Sequence, residues 1–240
     1  MPVLRDFQKI KSMDDFRKTD PPILIDGISQ PTLPPLHSQM ILRMLVRPKY
    51  GDFRIPSELS WLESQIREAA ALDANLTGIK DSWCYVTVRH GPTVSKTDDE
   101  WHFDGASFRT GLIPERNYIW VNHTGPQYKT GEIDWPEDFD PTKHNLFTYA
   151  SRALSGADIQ TAPSGEWMIM TPFCLHRRDP ATNGTYRTFI RISFPDIEGR
   201  DINNTHNHLL PTPFFGRDPV KDFRNHLKDY PNVNQSKRSP

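Results

Sequence analysis

The chain has 240 residues and a formal net charge of −1, with 29 Lys and Arg against 30 Asp and Glu. That length suits a single domain with a sizeable core, and the charge balance gives no general drive toward nucleic acid or a membrane surface. Its 22 prolines and 11% aromatic content point away from a helical bundle and toward a loop-rich β protein.

In chain order, Met1 to Asp6 lack the apolar core of a signal peptide, and no apolar stretch is long enough to span a bilayer, so a cytoplasmic protein is expected. Residues 1–56 are interrupted by Pro21-Pro22, Pro31, Pro34-Pro35, Pro48 and Pro56 and read as irregular, except for the apolar run 40–46, a strand or short helix. Ser57 reads as an N-cap. Leu59, Leu62, Ile66, Ala69 and Ala70 follow at helical spacing and predict an amphipathic helix over 58–72.

From residue 81 the period changes to two. The runs 83–88, 118–121, 145–149, 159–162, 167–172 and 186–194 are β-branched or aromatic, with turn residues such as Gly91-Pro92 and Thr124-Gly125-Pro126 between them, and each is predicted as a strand. Several short strands with no long helix among them predict a mainly β fold, a sandwich or jelly roll. The expected organisation is one catalytic domain, with an N-terminal loop and helix elaboration (1–80), a core (81–195) and a C-terminal extension (196–240). The tail 235–240 is expected to be disordered. Cys84 and Cys174, the only cysteines, lie in apolar runs and read as buried reduced thiols.

Two segments carry chemistry. In Trp101-His102-Phe103-Asp104-Gly105 a histidine and a carboxylate are two positions apart. On a strand both side chains reach one face and one metal ion, while Phe103 points into packing. With nine histidines in the chain, His-x-Asp alone is weak. The second segment supplies His176 at the end of an apolar stretch, a turn at Pro180, Asn183 and Gly184, and then a strand. In that strand Thr188, Ile190, Ile192 and Phe194 share one face, and Arg187, Phe189, Arg191 and Ser193 the other. The arginines read either as an exposed face or as an anion pocket using bidentate guanidinium–carboxylate pairing. Two histidines and one carboxylate with open positions are the ligand set of a non-haem Fe(II) oxygenase.

Over residues 81–195 the sequence resembles the Fe(II)/2-oxoglutarate-dependent dioxygenases, on His102, Asp104, His176, Arg187 and Arg191, in an arrangement like the taurine dioxygenase or phytanoyl-CoA hydroxylase branches. The resemblance implies a double-stranded β-helix (jelly roll), Fe(II) held by His102, Asp104 and His176, 2-oxoglutarate as co-substrate, and O₂. It implies that Arg187 salt-bridges the distal carboxylate of 2-oxoglutarate and that Arg191 faces the prime substrate. An Arg-x-Ser pattern would instead select Arg191 and Ser193 for the co-substrate; spacing favours Arg187. The carboxylate at 104, where related halogenases carry a small residue, implies oxygenation, most often hydroxylation of an unactivated C–H with release of succinate and CO₂.

The expected substrate is a small molecule, polar or anionic. Trp101, Tyr118, Trp120, Asn122 and Arg109 are candidate substrate-site residues beside Arg191, and the acidic stretch 132–140 reads as a lid or an ordinary surface loop. His206 and His208 read as surface residues. Nucleic acid is not expected, because Arg177-Arg178, Lys143 and Arg152 are too scattered for a basic groove. Two other readings stay open: a cupin-like metalloenzyme not using 2-oxoglutarate, which normally has more histidines and no paired arginines, and a non-enzymatic jelly-roll module whose arginines grip an anionic ligand.

Overall fold

The computed structural model describes residues 12–34, 38–93, 99–105, 115–199, 201–211 and 227–229. The elements in chain order are β1 (Lys18–Thr19), β2 (Ile23–Leu24), β3 (Gln39–Arg47), α1 (Glu63–Thr77), β4 (Cys84–Pro92), β5 (Arg116–Val121), β6 (Gln127–Lys129), β7 (Gly131–Glu132), α2 (Leu146–Ala153), β8 (Gln160–Thr161), β9 (Met168–Met170), β10 (Leu175–Arg177) and β11 (Tyr186–Phe194). The protein is mainly β, built from antiparallel sheets. A six-stranded sheet has the order β2-β9-β5-β11-β4-β3, a three-stranded sheet β10-β6-β8, and β1 pairs with β7. The tail 235–240 lies outside the described residues, and no helix among them is long and apolar enough to cross a membrane.

The stretch before residue 57 is less irregular than its prolines suggest. Both β2 and β3 belong to the six-stranded sheet, because the prolines fall between these strands rather than within them, where a missing N–H would break the ladder. The β3–β4 register shifts between Ile41 and Met44. Arg43 fills that bulge with φ 45, and its N–H donates to Thr87 Oγ1 instead of a ladder carbonyl (3.0 Å).

One face of this sheet carries the main core. Val86, Val88, Tyr118, Trp120, Ile169, Ile190, Ile192 and Phe194 pack with Leu59, Leu62, Ile66, Ala69 and Ala70, the residues read at helical spacing. Ser57 does not cap the helix: residues Ser57–Leu62 form a 3₁₀ turn behind Pro56, which makes no side-chain cap, and α1 then runs to Gly78, whose φ of 74 ends it in the left-handed region. A buried polar pin fastens α1 to the sheet. Arg116 Nε and Nη2 donate to the two oxygens of Asp73 (3.0 and 2.7 Å), Tyr118 Oη donates to Asp73 Oδ1 (3.1 Å), and Arg116 Nη2 also donates to Ser82 Oγ (3.3 Å).

The opposite face is the mixed one. There Ile119 and Val121 of β5 and Met168 and Met170 of β9 form a buried cluster with Ala162 and Cys174, against which Tyr128 of β6 and Phe189 pack. This cluster joins the two larger sheets. A third cluster, including Phe16, Phe103, Phe139, Leu146, Tyr149 and Leu175, packs the buried face of α2. Both cysteines are buried and free.

Residues 145–149, read as a strand, open α2 instead. The Asn145 side chain accepts from the backbone N–H of Phe147 (3.0 Å) and Thr148 (3.2 Å), satisfying donors that a helix start leaves orphaned. Leu146, Tyr149 and Ala150 are then the buried positions, a helical and not an alternating pattern. Replacing Asn145 by Ala is expected to cost about 1 kcal/mol, read as a lowered midpoint in thermal unfolding followed by circular dichroism.

Candidate metal centre

The two chemistry-bearing segments lie side by side through an isolated antiparallel bridge between His102 and His176. Each backbone N–H donates to the other's carbonyl, at 2.9 and 3.0 Å, so the two histidines start from a shared, fixed origin. Flanking contacts extend the junction. Arg178 is ion-paired with Asp99, and the Trp101 ring lies between Arg177 (4.5 Å) and the Lys129 ammonium (5.0 Å). Phe103 points away from the centre, 2% exposed, into the cluster beside α2. The segment is a bridge and a turn rather than the regular strand expected, yet the alternation holds.

His102, Asp104 and His176 each present one ligand atom, all within 4.8 Å of one another. His102 Nδ1 lies 2.7 Å from the Glu100 carbonyl oxygen and His176 Nδ1 lies 2.9 Å from that of Cys174. A carbonyl only accepts, so each Nδ1 carries the proton and each Nε2 is turned out as the ligating atom, the outer-sphere arrangement metal-binding histidines use. His176 Nε2 is 3.6 Å from Asp104 Oδ2. Burial works against the His176 imidazolium, but hydrogen bonding and charge from Asp104, with help from Cys174, push it up to about 10. Burial would likewise raise the Asp104 carboxyl, but the Arg191 guanidinium, then His176 and His102, hold it well below the usual carboxylate range. Without a metal Asp104 thus favours a protonated His176; a divalent cation would displace that proton and meet two imidazoles and an ionised carboxylate, with further coordination positions open.

Arg187 and Arg191 emerge from the same face of β11, as the alternation requires. Arg191 Nη1 donates to Asp104 Oδ2 at 2.7 Å, while its Nε is buried without a hydrogen-bond partner. Arg187 is 7% exposed, opposite Gly91 in the β4 register and 5.8 Å from the Phe189 ring. Ser193 is committed elsewhere: its Oγ donates to Asn117 Oδ1 (2.6 Å) in the buried sheet. That hydrogen bond speaks against Ser193 as a co-substrate ligand.

Of the candidate substrate residues, the structure removes several. Tyr118 and Trp120 lie on the other face of the sheet, in the core against α1, with Tyr118 bonded to Asp73 and Trp120 Nε1 donating to Gln30 Oε1. Residues 118 and 120 share one face of β5, and that face meets α1 rather than the His-Asp-His cluster. Asn122 is exposed and accepts from the Thr188 N–H at the strand end (2.7 Å), a structural use. Trp101 packs against the cluster beside α2, its ring held by Lys129 and Arg177. Arg109 lies outside the described residues. The stretch 132–140 is packed rather than lid-like: Ile133 and Phe139 are buried, and Trp135 stacks within 4.9 Å of both Phe139 and Tyr149. His206 and His208 are exposed, as expected, whereas Asn207 between them is buried and donates to the carbonyls of Leu45 and Arg54.

Sequence reasoning missed a second charge pair beside the triad. Arg43, in the β3 bulge, forms a bidentate pair with Glu115 (2.8 and 3.0 Å). Burial disfavours the ionised Glu115, but Arg43 and then Arg191 hold its carboxyl low. Gly105 explains the turn after Asp104. Its φ is 70 and a Cβ there would lie 2.6 Å from Glu115 Cβ, so only glycine lets the ligand loop lie against this pair. Asn117 Nδ2, on the site face of β5, is a further buried donor without a partner. The only sequence signal for Arg43 was a charged residue inside the apolar run 40–46.

Fold and site together define a mainly β protein with a His-Asp-His cluster beside an arginine-bearing strand. No protein-family model matches the chain, and no curated protein matches it in sequence. Among solved structures it is similar to AviO1 from Streptomyces viridochromogenes Tue57, at 15% identity and a TM-score of 0.37 over 77% of this chain and 93% of that one. It is also similar to EvdMO1 (16%, TM-score 0.35, 55% and 31%). A third is EvdO2 from Micromonospora carbonacea var. aurantiaca, complexed with 2-oxoglutarate (11%, TM-score 0.34, 70% and 67%). At such scores these likenesses define neither the family nor the activity.

Proposed function

We propose that the protein is an Fe(II)/2-oxoglutarate-dependent oxygenase on a double-stranded β-helix, hydroxylating a small polar or anionic substrate. The observation that carries this reading is the convergence of His102, Asp104 and His176 with both Nδ1–H groups anchored on backbone carbonyls. Those three residues would hold the iron on one side, leaving the other side to exogenous ligands. When bound, iron with 2-oxoglutarate and O₂ supplies the oxidising chemistry, converting 2-oxoglutarate to succinate and CO₂ while the substrate is hydroxylated.

The chain's own contribution is binding and exclusion. The backbone bridge fixes both histidines, and Arg191 orients the Asp104 carboxylate. Arg187, buried on the same face, is the residue assigned to the distal carboxylate of 2-oxoglutarate. The Ile119, Val121, Met168 and Met170 cluster makes the floor between the sheets apolar and keeps water from that side. The cupin-like alternative wants a further histidine, and the cluster among the described residues holds none.

The deciding experiment is anaerobic loading with Fe(II) and 2-oxoglutarate, then exposure to O₂ and measurement of succinate across a metabolite library. Succinate formation, increased by one class of compound, is the expected result; bound iron with no succinate under any condition overturns the reading. Arg187→Gln is expected to weaken the apparent affinity for 2-oxoglutarate by at least about tenfold, the worth of a charge-assisted pair, with iron content unchanged. An unaltered 2-oxoglutarate dependence would remove Arg187 from that role.

A further inference from the structure

Asp104 Oδ2 has two claimants. It is the oxygen nearest His176 Nε2, at 3.6 Å, and so the one turned toward the metal position; it also accepts from Arg191 Nη1 at 2.7 Å. A guanidinium has a second usable edge. In Arg191 the Nε on that edge is buried with no acceptor, so the group is only partly satisfied while it holds Asp104. Nearby, Arg43 is paired bidentately with Glu115, so Arg191 is the cation hydrogen-bonded to the ligand carboxylate.

We propose that Arg191 couples anion binding to metal binding: its charge on Asp104 Oδ2 holds metal affinity down until an acid group occupies its remaining edge. This rests on the proposed metal centre and adds a direction of communication within it. The sign follows from charge. An anion on the Nε edge neutralises the guanidinium, the pull of Arg191 on Asp104 weakens, and the carboxylate becomes a better donor to a divalent cation. By linkage the metal must favour the anion equally. The coupled ligand is an acid with planar carboxylate or tetrahedral oxyanion geometry, which a guanidinium edge pairs bidentately; it need not touch the metal.

The test is Mn(II) binding to the metal-free protein, followed by the electron paramagnetic resonance signal of free Mn(II). It is made with and without succinate, which lacks the keto oxygen of 2-oxoglutarate, and with neutral succinamide as control. Succinate is expected to tighten Mn(II) binding by about tenfold, within the usual range of coupling between sites, and succinamide to do nothing. Arg191→Gln is expected to bind Mn(II) more tightly than the native chain without succinate and to lose the succinate effect. An equal succinate effect in R191Q, or R191Q binding no tighter, overturns the coupling while leaving the metal centre standing. Absence of Mn(II) binding in both proteins defeats the metal centre and the coupling together. If circular dichroism shows R191Q to be unfolded, the native protein and Arg191→Lys decide. No succinate effect in the native chain, or an undiminished one in R191K, whose point charge lacks a second edge, overturns the proposal.

Discussion

Replacing Asp104 by Ala is expected to yield a folded protein that no longer retains iron and forms no succinate. Among the described residues Asp104 is the sole carboxylate of the cluster, and two imidazoles alone give neither the charge nor the facial geometry that a hard divalent ion takes from a carboxylate. Loss of an outer-sphere partner already costs about 10–100-fold in metal affinity, so loss of the ligand itself should exceed that. The fold should survive, because Asp104 lies in a turn with its side chain 24% exposed and Arg191 19% exposed, so water can reach the guanidinium left behind. Iron content after anaerobic reconstitution and succinate release are the two measurements. D104A retaining iron at the native level would mean that the cluster is not the metal site. A non-enzymatic anion-binding module would instead keep its ligand affinity in D104A without any metal requirement.

The second large effect lies on the other side of the sheet. Arg116→Met is expected to destabilise the fold by about 3–5 kcal/mol, the usual consequence of removing one partner from a buried ion pair. The Arg116 and Asp73 side chains are 0% and 2% exposed, so the stranded Asp73 carboxylate would stay buried, and among the described residues only the Tyr118 hydroxyl would remain bonded to it. Apparent melting should fall by roughly 10 °C or more for a domain of this size. A double substitution, Arg116→Met with Asp73→Leu, should recover much of the loss, because the dominant cost is the abandoned charge rather than the missing attraction. A single R116M variant melting within a degree or two of the native protein would show that the pin is not tight in solution.

Legibility followed the physics of each element. Strand β11 was readable end to end because period-two alternation over nine residues has no helical equivalent, and the α1 stripe was readable for the corresponding reason. Asn145 was misread because the following apolar residues satisfy both periods over so short a stretch; the asparagine cap was the available signal. Tyr118 and Trp120 show a different limit. Alternation tells that residues share a face, but which face meets α1 and which meets the His-Asp-His cluster is settled by strand order, a long-range property. The triad itself could be inferred from residue type and spacing, whereas the Arg43–Glu115 pair could not. It depends on a register shift in β3 and on a glycine yielding to Glu115, the residue just before β5.

Strand β11 also acts as a proofreader of assembly. Its two faces differ as sharply as a strand allows, with Ile190, Ile192 and Phe194 at 0% exposure on one side and Arg187 and Arg191 on the other. A slip of one residue against β4 or β5 would drive two guanidinium groups into the apolar layer beneath α1 and turn the isoleucines toward the ligand loop. Such a chain would forfeit its core and its chemistry in the same step. The register that lets the protein fold is the one that aims Arg191 at Asp104, so correctly folded molecules with a misbuilt centre should be rare.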